Sequence, residues 1–370
     1  MFNCGDVEKL RSTHAQGPGV LSLYLPVPQD PAGLPGLVAR AKDLLASVKT
    51  SRADGVSVDE VSPADQDAVF DALARPGQEW PGHTVAFFAC ARLGLFEVLT
   101  LPGTAPASCM LATRPQVRPL LAALQRFPDY RVVIVDRHFS WIVSVSGSHV
   151  ETLSRQYDEG VRRSGLSSWY GLDAQRAHQR AVQASRRHYR KVAAALRSGA
   201  DPGYRIPLVI GGRYQGVAQL MEELSPEVQA TFAGGFTVDP GSLCLADVRD
   251  LAQPIIDKWV KRGEIELTRD VLSDAPESAA IGLSAALAAV NQGAAAHLLI
   301  GHGGTVPGFA CGHCGTLNIR RINDCDTGVS AVSDVLEEMV HRTLDDGGKV
   351  TMNDGAPFTV AAKLRFSLPA

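Results

Sequence analysis

The amino-acid sequence predicts a multi-domain protein of the α/β class, in which an α+β domain precedes two α/β domains. Its 370 residues exceed the usual size of one domain. Apolar residues make up 45% and charged residues 20% of the chain, as is typical of proteins with packed cores. Short apolar runs alternate with segments of helical periodicity, and turns rich in Gly, Pro and Asp separate them. We therefore expect three domains, at residues 1–127, 128–262 and 263–370.

The first domain is predicted to be an α+β unit without a catalytic motif. Its elements are strands at Val20–Pro26, Thr84–Ala91 and Leu95–Leu101, and helices at Pro35–Lys49, at Ala64–Ala74 and ending near Arg126. The second domain is predicted to contain strands at Arg131–Asp136, Trp141–Ser146, His149–Leu153, Ile206–Ile210 and Phe232–Val238. Its helices are expected at Asp173–Ser198, with Asp173 as the N-cap, and at Val217–Leu224 and Ala246–Val260. Alternating strands and helices indicate an α/β layer.

The long helix of the second domain has two predicted faces. One is an apolar stripe that is expected to be buried, formed by Val182, Ser185, Tyr189, Val192 and Leu196. The other carries Arg176, Arg180, Arg187 and Lys191. Residues 160–200 hold nine Lys or Arg and one acidic residue, whereas the whole chain has a net charge of −3. Such a basic island is typical of polyanion binding, although a solvated helix face has the same composition.

The third domain is predicted to be a three-layer α/β sandwich. Helices at Glu277–Gln292 and Val329–Asp345 flank a buried strand at His297–Ile300, and Lys349–Met352 and Val360–Phe366 form a β-pair. Between the helices lie Cys311 and Cys314, spaced as a CxxC, and Cys325. Zinc would need a fourth ligand, with His302, His313 and Asp326 as candidates. The alternative is a loop with free thiols, and a redox CxxC fits this context least.

Several classes of protein are not favoured by the sequence. No apolar run approaches the length of a membrane span, and the N-terminus MFNCGDVEKL lacks the pattern of a secretory signal. We therefore expect a cytoplasmic protein that does not bind membranes and whose cysteines are reduced. The chain has no Walker A, GxGxxG or HExxH motif and no recognisable Ser-His-Asp arrangement.

Six segments in order resemble the archaeo-eukaryotic class-one release factor family, which includes Pelota and bacterial members. They are VVIVDRHFSWIVSV from Val132, the basic helix AHQRAVQASRRHYRKVAAAL, LVIGG from Leu208, ALAAVNQGAAAHLLIG, LDDGGKV, and VAAKLRF from Val360. The resemblance covers about two thirds of the chain, from Tyr130 to Phe366. It implies three domains in the release-factor and Pelota order, a ribosomal partner and, at the cysteine loop, the zinc-binding insertion common in this family.

Two sequence motifs of release factors are not recognisable in this chain. Release factors carry Gly-Gly-Gln before the long helix, where this sequence reads GLSSWYGLDAQ at Gly165–Gln175, and no Asn-Ile-Lys-Ser codon-reading motif is recognisable. The pattern resembles that of the hibernation factors of this family. It implies a non-catalytic protein that binds rRNA in the A site and at the peptidyl-transferase centre of idle or stalled ribosomes, with the elongation factor EF-Tu as a candidate partner. The alternative is a rescue factor that hydrolyses peptidyl-tRNA with a residue of Gly165–Gln175.

The predicted RNA-binding residues lie in this loop and on the following helix. Trp169 and Tyr170 could stack on unpaired bases, or could instead anchor the loop to its own domain. The full set is Arg162, Arg163, Ser167, Ser168, Trp169, Tyr170, Arg176, Arg180, Arg187 and Lys191.

Overall fold

The computed structural model describes most of the chain as two compact units. One unit combines Met1–Gln125 with Glu264–Ala370, and the other is Arg126–Gly263. Within the described part no helix is both long and apolar enough to cross a membrane. The described residues are 4–15, 19–30, 35–48, 61–77, 79–147, 149–158, 171–198, 206–274, 278–301, 304–321 and 328–368, with side chains of the helix at 171–198 described from residue 179 to residue 197.

The N-terminal part of the first unit is a four-stranded antiparallel sheet with four helices. The strands lie in the order β3-β2-β1-β4. The elements are α1 (Cys4–Arg11), β1 (Val20–Pro26), α2 (Pro35–Val48), α3 (Pro63–Leu73), β2 (Thr84–Cys90), β3 (Leu95–Leu101), β4 (Ser108–Ala112) and α4 (Arg118–Arg126).

The middle unit is built on a mixed five-stranded sheet in the order β7-β6-β5-β8-β9. Strands β5, β8 and β9 run parallel, and β6 and β7 are antiparallel to their neighbours. The elements are β5 (Tyr130–Val135), β6 (Phe139–Ser146), β7 (His149–Tyr157), α5 (Gly171–Ser198), β8 (Leu208–Gly212), α6 (Tyr214–Glu223), α7 (Pro226–Gln229), β9 (Phe232–Phe236) and α8 (Leu245–Ser273).

The C-terminal part of the first unit holds a four-stranded sheet in the order β10-β16-β11-β15 and a three-stranded sheet in the order β13-β12-β14. Its elements are β10 (Ala279–Ile281), α9 (Leu283–Asn291), β11 (Ala295–Ile300), β12 (Gly308–Cys311), β13 (Leu317–Asn318), β14 (Val329–Val332), α10 (Val335–Asp345), β15 (Lys349–Met352) and β16 (Val360–Leu364).

The N-terminal sheet buries both of its faces, and this joins the two ends of the chain into one unit. Successive strand residues point to opposite faces. Leu23 and Phe87 therefore enter a core with α2 and α3, whereas Tyr24 and Phe88 enter a second core with α9 and α10. Burial of apolar surface contributes about 25 cal/mol per Å². Neither part could bury these side chains without the other.

Charged groups also lie in the contact between the two parts. Arg118 at the start of α4 forms an ion pair with Asp334, which is fully buried. Asp334 caps α10 by accepting from the backbone N–H of Leu336 at 3.1 Å. Glu337 Oε1 accepts the N–H groups of Val117 and Arg118. These bonds satisfy Asp334 and the Oε1 atom of Glu337, whereas Glu337 Oε2 is buried without a hydrogen-bond partner among the described residues.

The predicted α/β multi-domain fold is confirmed, and its third part is a three-layer arrangement. Helices α9 and α10 cover one face of the four-stranded sheet, and Val271 of α8 packs with Leu299 and Ala361 on the other. The first and third predicted domains lie in one compact unit. The division of the chain into three domains therefore stays a prediction.

Four predicted elements are wrong in detail. The predicted helix from Glu277 contains β10, and the predicted helix from Val329 begins with β14. Both are short apolar runs, in which periodicity alone does not separate strand from helix, and pairing with β16 and β12 decides. Strands β15 and β16 do not pair with each other, because β11 lies between them. Asp173 lies inside α5, which begins at Gly171, and is not its N-cap.

The parent protein is expected to lose stability as the pH rises, and the Glu337→Gln variant is expected not to. Burial raises the pKa of Glu337 from 4.5 to about 8. The folded protein therefore holds a proton that the unfolded chain releases above pH ~4.5, and its free energy of unfolding falls as the pH rises towards about 8. Burial lowers the pKa of His341 from 6.5 to about 4, so the effect of His341 appears only below pH 6.5. Urea denaturation between about pH 6.5 and pH 8 should show the fall for the parent protein and not for Glu337→Gln.

The control is Glu266→Gln, which changes an exposed carboxylate on α8 of the same unit. This control should keep the pH profile of the parent protein. Parallel profiles for the parent protein and Glu337→Gln would contradict the assigned pKa shift.

Candidate nucleic-acid interface

Helix α5 packs on the middle sheet through one stripe. Tyr189, Val192 and Leu196 join a core with β5 and β8, and Ser185 is buried beside them. The predicted stripe is wrong at Val182, which is 49% exposed. Burial begins at Ala184, and the described side chains from residue 179 to residue 183 are exposed or half-buried. Among the described side chains, the turn at residues 179–183 is therefore less covered than the later turns.

The opposite face of α5 carries exposed cations. Arg180 lies nine residues before Tyr189, and Arg187 nine residues before Leu196. At 3.6 residues per turn, nine residues place two side chains on opposite sides of a helix. Arg180, Arg187 and Lys191 are accordingly exposed.

Carboxylates pair with some of the cations of α5 and leave others without a partner. Arg186 and Arg190 donate to the two carboxylate oxygens of Glu223 on α6, at 2.6 and 2.9 Å. Their hydrogen bonds, led by that of Arg186, lower the pKa of Glu223. Lys191 lies 3.2 Å from Asp158. Arg180 and Arg187 form no ion pair with any residue that the structure describes, so their charges face solvent.

The side chains of seven predicted RNA-binding residues are not among those that the structure describes. Arg176 belongs to α5, but its side chain is outside the described set. The other six are Arg162, Arg163, Ser167, Ser168, Trp169 and Tyr170, and they lie outside the described residues.

Sequence reasoning missed a second polar edge of the same unit. Strands β5 and β8 are parallel, so the residues that follow them lie at one edge of the sheet, where α/β proteins commonly bind ligands. Arg137 follows β5 and donates to Gln215 at 3.4 Å. Arg213 and Tyr214 follow β8, and Tyr214 is 84% exposed. An arginine and a tyrosine directly after the glycine pair of a buried strand were the available signal.

The glycine pair in LVIGG has a packing role. A Cβ on Gly211 would lie 2.6 Å from side-chain atoms of Ile134 and Phe236. Gly212 has φ +154°, and a Cβ there would lie 2.3 Å from the carbonyl oxygen of Val135. Gly212 therefore requires glycine because the backbone of the neighbouring strand approaches closely, and Gly211 leaves room for the Ile134 and Phe236 side chains. This pair does not substitute for a Gly-Gly-Gln loop.

The cysteine loop provides two thiols in one turn. Cys311 is buried at the end of β12, and Cys314 is exposed, with Sγ 3.0 Å from Thr316 Oγ1. Gly315 closes the turn by donating to the carbonyl of Cys311 at 2.8 Å. Within the described ranges, no three His, Cys, Asp or Glu side chains are grouped to hold a metal. Cys325, His302 and Asp326 lie outside those ranges, so zinc stays a prediction.

If the loop holds zinc, protein purified without chelators should contain about one zinc ion per chain. Cys314→Ser should then lose the metal and lower the melting temperature, because metal binding is linked to folding. Elemental analysis and thermal denaturation measure the two effects. The matched control is Cys244→Ser, which alters an exposed thiol outside the loop. Metal-free protein whose melting temperature is unchanged by Cys314→Ser would support free thiols.

Comparison with known families gives a match to part of the chain. Residues 115–254 match the family described as bacterial archaeo-eukaryotic release factor family 10. No curated protein matches the chain.

Solved structures similar to this chain include translation termination-like factors. Saccharomyces cerevisiae Dom34, a translation termination-like factor, is 11% identical, with 78% of this chain and 82% of that chain covered and a TM-score of 0.44. Archaeoglobus fulgidus Pelota is 15% identical, with 78% and 80% covered and a TM-score of 0.35. An archaeal Pelota from a ribosome-bound complex with ABCE1 is 12% identical, with 99% and 95% covered and a TM-score of 0.43. The family match confirms the predicted relationship to the release-factor family for the segment 115–254, which holds α5 and its sheet.

Proposed function

We propose that this protein is a ribosome-binding translation factor that occupies the A site of idle or stalled ribosomes and does not hydrolyse peptidyl-tRNA. The observation that carries this proposal is the outer face of α5. Within the segment that matches a release factor family, Arg180 and Arg187 are exposed and unpaired among the described residues, opposite the buried stripe. Release factors work on ribosomes, and rRNA supplies the polyanion that such a face would bind.

The spacing of the exposed cations suits an RNA backbone. Arg180 and Arg187 are seven residues apart on α5, a rise of about 10.5 Å, and Lys191 follows about 6 Å further on. Side chains at such intervals can contact successive phosphates along a strand. Each contact releases condensed counterions, so affinity falls as salt rises.

The paired cations support the same assignment. Glu223 neutralises part of the charge of Arg186 and Arg190 and holds both side chains against α6. These two side chains are therefore engaged in contacts inside the unit. The row of Arg180 and Arg187 has no such role within the described residues, which favours an external partner.

The absence of hydrolysis is proposed from the sequence before α5. Hydrolysis of an ester needs a polar group that positions water and donors that stabilise the oxyanion. Gly165–Leu172 offers Ser167, Ser168 and Tyr170 without a neighbouring base in the sequence, and no Gly-Gly-Gln. This arrangement resembles the hibernation factor Balon, and on that basis EF-Tu is the proposed companion and the cytoplasm the proposed location. The alternative function is a rescue factor that releases nascent peptide.

Reversing the charges of the outer face should release the protein from ribosomes. The variant carries Arg176→Glu, Arg180→Glu, Arg187→Glu and Lys191→Glu. It should lower the slope of log affinity against log salt by about one for each phosphate that the protein no longer neutralises. Cosedimentation with vacant ribosomes over a salt series measures both the affinity and the slope.

The matched control reverses four exposed cations of α8: Lys258, Lys261, Arg262 and Arg269. It changes the net charge equally and should bind as the parent protein does. If both quadruple variants lose binding alike, net charge and not the α5 face governs association. If the α5 variant still cosediments at physiological salt, the face is only solvated surface.

The loop before α5 is expected to contact RNA without cleaving an ester. The parent protein should release no nascent peptide from loaded ribosomes, with or without a stop codon in the A site. Trp169→Ala with Tyr170→Ala should weaken ribosome binding by about 1–3 kcal/mol for each stacked base. Trp169→Phe with Tyr170→Phe keeps flat aromatic surfaces and serves as the control. Release activity that disappears in Ser167→Ala or Ser168→Ala would instead establish the rescue-factor function.

A further inference from the structure

A polar cavity lies on one face of the four-stranded sheet of the first unit. Its volume is about 560 Å³, and β11, β15 and β16 form its floor with the residues after α8 at its side. Three cationic side chains line it, namely Lys349, Lys363 and Arg365. His297 also lines the cavity, and Asp274 is its lining carboxylate.

The strand register places two lysines on either side of one histidine. His297 on β11 lies opposite Lys349 on β15 and opposite Lys363 on β16. Neighbouring strands are about 4.8 Å apart, so the lysine backbones are roughly 10 Å from each other. An anion that lies over His297 would therefore have a lysine on each side.

His297 does not add to the charge of the row. Burial lowers its pKa to about 4, and the positive charges of Lys349 and Lys363 contribute to the same shift. Its Nε2 lies 2.8 Å from Thr351 Oγ1, which holds the ring in place. The ring is therefore neutral near pH 7 and available to exchange hydrogen bonds.

A divalent anion would balance the positive charges that line the cavity. Lys363 lies 3.3 Å from Asp274 and 4.0 Å from Asp270, so these carboxylates neutralise its charge. Arg365 donates to the backbone carbonyl of Asp346 at 2.7 Å, a contact that orients the guanidinium without neutralising it. Lys349 has no ion pair among the residues that the structure describes. Lys349 and Arg365 are therefore the two lining cations that form no ion pair with any residue that the structure describes.

We propose that this cavity binds a phosphate monoester dianion, as carried by a nucleotide or by the 5′-phosphorylated end of an RNA. A monoester has about −1.5 to −2 charges at pH 7 and three acceptor oxygens, which match the two excess positive charges and the Arg365 and lysine donors. A phosphodiester has a single charge and fits less well. The proposal does not rest on the function of α5, whose residues belong to the other unit.

The test titrates inorganic phosphate, adenosine monophosphate and dimethyl phosphate into the full chain. Calorimetry gives the affinities, and NMR of the His297 ring follows its pKa. The two dianions should bind saturably and raise the pKa of His297, because the bound charge offsets the lysines. Dimethyl phosphate should bind at least about tenfold more weakly. Oligoribonucleotides with a 5′-phosphate or a 5′-hydroxyl then distinguish an RNA end from a free nucleotide.

Lys349→Glu with Arg365→Glu should abolish dianion binding, and Arg40→Glu, an exposed cation on α2 of the same unit, should leave it unchanged. If the double variant melts early, Lys349→Gln with Arg365→Gln gives the same comparison without charge reversal. The α5 quadruple variant should bind the dianions normally, which separates this site from ribosome binding. Equal binding of monoester and diester, an unchanged His297 pKa, or an equal loss in Arg40→Glu would overturn the proposal.

Discussion

The burial of both faces of the N-terminal sheet is the constraint on which the first unit depends. Tyr24 and Phe88 need a partner surface, and α9 and α10 supply it. The ion pair of Arg118 with Asp334 and the backbone bonds to Glu337 lie in this contact. A buried ion pair adds little stability over apolar residues of the same shape, but the loss of one partner costs about 3–5 kcal/mol. The pair therefore enforces one docking geometry between the two ends of the chain.

This arrangement makes the middle unit an insertion in the chain with its own cores. Two apolar clusters, one on each side of the sheet, complete it. Helix α5 contributes Tyr189, Val192 and Leu196 to one of these cores. Its outer face does not pack in a core and carries charged residues. An exposed cation row costs the unit little stability, since surface substitutions usually change stability by less than about 0.5 kcal/mol. Such a face can therefore change in sequence while the fold stays constant.

In both proposed sites, the positions of the carboxylates determine which cations are free to bind a ligand. Glu223 holds Arg186 and Arg190, and Asp274 holds Lys363, so neither contributes much free charge. Arg180, Arg187 and Lys349 have no carboxylate within ion-pair distance in the described structure. Electrostatic attraction for a ligand arises from this second group, because a charge already paired must give up one partner to gain another.

The sequence by itself determined the features that belong to one continuous segment. Only the tertiary structure decided which strands pair and which side chains are exposed. The apolar stripe of α5, the basic island and the buried strands of the middle unit followed from residue spacing, because each is a property of one segment. β10 and β14 could not be separated from helix in this way, since backbone pairing with distant strands decides short apolar runs. Val182 fits the stripe by spacing, yet it is 49% exposed, because spacing along one helix does not show which turns the described elements cover. Lys349, His297 and Lys363 lie far apart in sequence, and the sheet register alone makes them neighbours.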